Sequence, residues 1–226
     1  MLPTDALINV NGENVQTLEI LLLTTLLMIL PSLVIMMTSF TRYVVSFSFL
    51  RTAMGTQQTP PNLVLVGMAL ILTLFTMGPT IDSIVTEAYE PYTAGNITQE
   101  EFFDRAQVPL KRFMLRNTEI PSLEMFCGMA GVDAPATVEE LEQAVDLPLR
   151  VVMPSFVTSE LKKAFWIGFL LYIPFMLIDI IVSSTLMSMG MIMLPPSMIS
   201  TPFKILLFIL LDGWNLLFST LIQTVR

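Results

Sequence analysis

Between Ser183 and Pro196, four methionines recur at every second position: Met187, Met189, Met191 and Met193. Methionine has three rotatable bonds and a polarizable thioether with no hydrogen-bond demand, so it serves surfaces that must adapt their shape. On a helix an every-second spacing scatters side chains over two faces, because helical neighbours lie three or four residues apart. On extended backbone the same spacing puts all four on one side. Gly190 permits a break within the run, and Pro195-Pro196 forbids an ordinary helix just after it. Two readings follow: a Met-lined loop that packs around something variable, or Met filling the end of an apolar span.

A second set of residues carries charge in apolar surroundings: Asp179, Lys204 and Asp212, with Glu160 a further candidate for polar contact between helices or subunits. A charge at the centre of a bilayer costs about 2.5–3.5 kcal/mol on insertion scales, so each should have a partner or water. Such acids suit either a structural ion pair or a proton relay, and the relay would make the chain a proton-coupled transporter subunit using Asp179 and Asp212. Other chemistry is excluded by composition. The chain has no His and one Cys, Cys127. That removes His-based acid–base catalysis, His zinc sites, disulfides within the chain and Cys-pair metal sites. No catalytic residue, cofactor site or metal site is expected. The net charge of −8 argues against nucleic acid, which is bound through Lys and Arg.

The elements that must position these residues are mostly apolar. The chain of 226 residues is 54% hydrophobic and 13% charged, against about 25% charged in soluble domains. Four stretches have the length and apolarity of membrane spans: 18–37, 61–84, 164–203 (one long span or a tight hairpin) and 205–225. The organisation read from them is a polar segment at 1–17, a hydrophobic helical hairpin at 18–84, an acidic insert at 85–163 and a second hairpin at 164–226 carrying the Met loop. The fold class is all-α, of integral-membrane type. The insert holds 13 of the 19 acids and 7 of the 11 bases. Thr98 to Glu101 reads as a capping box, followed by an apolar face of Phe102, Phe103, Ala106, Leu110, Phe113 and Met114. Pro109 should kink or break that helix, Pro121 and Gly128 should bracket a short one, Thr137 to Glu140 reads as a second capping box, and Pro154 should open the helix entering the third apolar stretch. The insert is expected to form a helical cap between subunits rather than a free domain. Arg42 and Arg51 place the connection 38–60 on the cytoplasmic side, with Lys204 returning there.

Three stretches resemble the FliP family, the P subunits of the flagellar type III export gate, with counterparts in virulence secretion. They are Met36 to Arg42 with Leu50 to Asn62, then Pro154 to Phe169, then Pro174 to Met191. Ser155 and Trp166 depart from the family pattern. The resemblance implies an all-helical subunit in a pentameric spiral with Q and R subunits, a B-type switch subunit alongside, and lipid around it. It implies an export channel for unfolded substrates at the core of the flagellar basal body, in the bacterial inner membrane and extending to the periplasmic side. It also implies a gate ring of Met side chains, which by motif falls on Met187, Met189, Met191 and Met193, with Gly190, Pro195 and Pro196 shaping the loop. In such an assembly, helices that look membrane-spanning can instead bury their apolar faces between subunits.

Overall fold

The computed structural model describes residues 7–10, 13–135, 140, 144–191 and 193–225. The chain divides after Met36 into two compact units. The first holds an antiparallel β-hairpin, β1 (Leu7–Val10) with β2 (Glu13–Gln16), in which Leu7 pairs with Gln16 and Val10 with Glu13. It continues into α1 (Thr17–Met36). Apart from this hairpin the described chain is helical.

The second unit is built from α2 (Phe40–Met54), α3 (Asn62–Ile84), a π-helical turn at Val85–Tyr89, α4 (Glu90–Thr93), α5 (Gln99–Asn117), α6 (Ile120–Ala130), α7 (Leu149–Ser188), α8 (Pro196–Leu210) and α9 (Gly213–Gln223). In α2, Tyr43, Phe47, Leu50 and Met54 are buried, a spacing of four, three and four that keeps one helical stripe inward. This stripe meets Leu65, Ala69 and Leu72 of α3, Phe175 of α7, and Leu217 and Leu221 of α9. A second core joins Phe113 and Met114 of α5, Leu123 and Cys127 of α6, and Val151, Val152 and Phe156 of α7. Each such side chain contributes about 1.5–3 kcal/mol when fully buried.

The capping box is present: Glu101 N–H donates to Thr98 Oγ1 at 3.3 Å, and Thr98 N–H donates to Glu101 Oε2 at 2.9 Å. Other local expectations are corrected. Pro109 lies inside α5 without ending it. Phe113 and Met114 are buried as the periodicity demands, but Phe103 is exposed. Helix α6 does not stop at Gly128. It stops at Gly131, which has φ 66° and is followed by a Val132 N–H bond to the Cys127 carbonyl. Helix α7 starts at Leu149, not at Pro154. The second expected capping box lies largely outside the described residues.

The spans are redrawn as well. Among the described residues, two helical stretches are long and apolar enough to cross a membrane: Asn62–Thr93 and Leu149–Ser188. A third arises if α8 and α9 count as one span bent by 67°. The stretch 164–203 is a hairpin whose turn lies between Ser188 and Pro196, and the stretch 205–225 is broken at Leu211 and Asp212. The break has a local cause. Asp212 has φ 49°, which no continuing right-handed helix allows.

Candidate functional site: a capped methionine loop and its ion-pair clasp

Helix α7 ends in a Schellman motif. The Met191 N–H reaches the Leu186 carbonyl at 2.9 Å, and the Gly190 N–H reaches the Met187 carbonyl at 3.1 Å. Gly190 takes φ 76°, the left-handed conformation that this cap needs. The alternating methionines therefore do not lie on extended backbone. Met187 belongs to the last helical turn, Met189 is the cap residue, and Met191 and Met193 follow the reversal. All four are open to solvent within the single chain, at 67%, 69%, 42% and 97% exposure. Met189 also lines an apolar groove of about 450 Å³ together with Ile178, Val182, Ile199 and Phe203. Pro195 precedes α8, and Pro196 occupies its first position, where the missing N–H costs nothing.

The two helices that flank the loop are tied by charge. Lys204 Nζ donates to Asp179 Oδ2 at 2.6 Å and to the Ala53 carbonyl at 3.1 Å. Ser200 Oγ donates to Asp179 Oδ1 at 2.7 Å. Asp179 lies eight residues before Met187, about 12 Å along the helix. The clasp thus holds α7, α8 and the C-terminal end of α2 together below the loop. Asp212 is elsewhere, exposed at the bend, where it accepts from Asn215 Nδ2 at 2.6 Å. Each acid has its own local partner, so the relay reading has no support from geometry.

Glu160 forms a fully buried pair with Arg42. Arg42 Nε donates to Glu160 Oε2 at 2.8 Å, and Arg42 Nη2 donates to Glu160 Oε1. Arg42 also donates to the Thr224 carbonyl at 2.5 Å, to Thr224 Oγ1 at 3.1 Å and to Asn117 Oδ1 at 3.3 Å. One guanidinium therefore joins α2, α5, α7 and the end of α9. In the sequence Arg42 is a cytoplasmic-side charge and the last residue of the Met36–Arg42 stretch. Its location within an amphipathic helix, on the same stripe as Tyr43 and Ser46, was the signal for burial. Among the described residues no group of His, Cys, Asp or Glu is arranged to hold a metal ion.

The FliP family model matches residues 22–221, nearly the whole chain. The chain belongs to the FliP family. It is 48% identical over 213 residues to the flagellar biosynthetic protein FliP of Aquifex aeolicus (strain VF5), covering 94% of this chain and 87% of that one. It is 47% identical over 213 residues to the protein of the same name from Bacillus subtilis (strain 168), covering 94% of each. A Borreliella burgdorferi relative of that name is 41% identical over 92% of this chain and 81% of its own. In this FliP-family chain the Arg42–Glu160 and Asp179–Lys204 pairs and the Met loop lie within the matched residues.

Proposed function

We propose that the chain is a core channel subunit of the bacterial flagellar type III protein export gate, passing unfolded export substrates through a constriction lined by Met187, Met189, Met191 and Met193. Family membership supports the flagellar role, through relatives whose name is flagellar biosynthetic protein. The observation that carries the channel reading is the loop itself, four exposed methionines on a capped helix end braced by the Asp179–Lys204 clasp. In this reading further P copies, Q and R subunits and the B-type switch subunit surround the chain in the inner membrane, and the loops of neighbouring copies meet. Flexible thioethers close the empty pore and reshape around a passing polypeptide, a task that needs no catalysis and no cofactor.

The test is electrical. Replacing the four methionines by Ala is expected to raise ion conductance of the membrane when export is idle, while secretion of flagellar substrates continues. Conductance equal to wild type would sink the constriction reading and leave the family assignment untouched.

A further inference from the structure

Helix α7 changes character at one level. Glu160, Lys162 and Lys163 precede it, and from Ala164 to Ser188 Asp179 is the only charged residue. At that level Phe165, Trp166 and Phe169 stand exposed, and the Trp166 and Phe169 rings stack at 5.9 Å. Two other parts of the chain arrive there: the α5–α6 connection and the C-terminal end of α9. Together they border an open groove of about 1060 Å³. Arg116, Lys162 and Lys163 line it against one acid, Glu119. Lys162 Nζ donates to Glu119 at 2.5 Å and remains 66% exposed, with further N–H donors to offer. Aromatic rings beside Lys and Arg, at the point where a helix turns apolar, are the composition of a membrane–water interface.

A second groove adjoins it. Ile167 lines both the first and this second, apolar groove of about 320 Å³ between α7 and the α8–α9 bend. Ile167, Leu170, Leu171 and Pro174 follow one helical face into that groove, and Leu207 and Leu216 form its far wall. A basic, aromatic groove adjoining an apolar one matches the two halves of a single amphiphile.

We propose that this site binds an anionic phospholipid, its phosphate at Arg116, Lys162 and Lys163 and one acyl chain along the groove from Ile167 to Pro174. Charge complementarity selects an anionic over a zwitterionic headgroup. The site rests on the chain being membrane-associated and not on the channel reading, so either stands if the other fails.

The experiment uses the full-length protein exchanged from detergent into mixed micelles of phosphatidylglycerol or phosphatidylcholine, with retained lipid counted by native mass spectrometry. The wild type is expected to retain phosphatidylglycerol preferentially. Arg116→Gln with Lys162→Gln is expected to reduce that preference about thirtyfold, the scale of two cationic side chains facing an anionic headgroup. Leu170→Trp keeps the charges and fills the groove, and is expected to lower retention of both lipids. Equal retention of the two lipids by the wild type, or wild-type behaviour in either variant, overturns the proposal. So does high-yield crosslinking between neighbouring copies through Trp166→Cys in membranes, which would make the site a protein interface.

Discussion

All five N–H donors of Arg42 are engaged inside the protein, two of them by a carboxylate that is itself 1% exposed. Removing one partner leaves the other charge buried and uncompensated, which costs about 3–5 kcal/mol, whereas replacing both with apolar side chains is often near neutral. Arg42→Met is therefore expected to lower the unfolding transition of the detergent-solubilised protein sharply, and Arg42→Met with Glu160→Leu to recover most of the loss. Equal losses in the single and double variants would show that the pair is not what holds these helices. Cys127 gives a second expectation at this scale. It is fully buried in the core between α5, α6 and α7, and burial pushes its thiol above the ordinary range, so little thiolate is present near pH 7. A maleimide should leave it unmodified in the folded protein and label it on unfolding. Rapid labelling of the native state would contradict the packing of α6. These residues also show where local sequence stops being informative. Glu160 is legible in the sequence as a candidate for polar contact between helices or subunits, but its partner lies 118 positions away, and no spacing rule reaches that far.

Elements whose ends depend on a few adjacent residues were readable. Thr98 and Glu101 satisfy each other's backbone donors, so the start of α5 is written in four letters. Proline was the less reliable sign. Pro109 and Pro154 sit within helices, because a long helix packed on neighbours tolerates the loss of one backbone bond that would end an isolated one. Close approach between helices could not be read at all. A Cβ on Gly168 would lie 2.5 Å from ring carbons of Phe49, so α2 and α7 pack where only hydrogen fits. Gly168→Ala is expected to destabilise by about 1–3 kcal/mol through overpacking. Gly67→Ala in α3, where no atom lies within 4 Å, should be neutral or stabilising by up to about 1 kcal/mol. Thermal unfolding of the two variants side by side checks the contrast, and equal shifts would refute the close α2–α7 contact. At Gly190 the constraint is backbone rather than space. With φ 76° and open surroundings, Ala there costs about 1–2 kcal/mol from its Cβ alone and loosens the Schellman cap that presents the methionines.

At the scale of the whole molecule, the ion pairs of Arg42 and Lys204 change how charge is counted. Orientation rested on Arg42, Arg51 and Lys204, yet Arg42 and Lys204 are neutralised inside the helical packing and do not face either side of a bilayer as free charges. Length argues in the same direction. The 40 residues of α7 extend about 60 Å, twice the roughly 30 Å hydrocarbon core, so its N-terminal part belongs with the insert and not with lipid. That part supplies Val151, Val152 and Phe156 to the second core, whose other buried members come from α5, α6 and Leu147, with Met77 the one fully buried contribution from outside 85–163 among the described residues. A segment that carries most of its own core can fold without its neighbours when the loss is confined to Met77 and to partly buried contacts such as Met37 and Val225. In contrast to the cap between subunits expected from the sequence, the excised fragment 85–163 is therefore expected to be helical and to unfold cooperatively. Glu160 is then hydrated rather than stranded, so losing Arg42 carries no buried-charge penalty in the fragment. Circular dichroism with denaturant titration reads this directly. A non-cooperative transition would mean that the insert is held in shape by α2, α3 and the surrounding subunits, as a cap between copies requires.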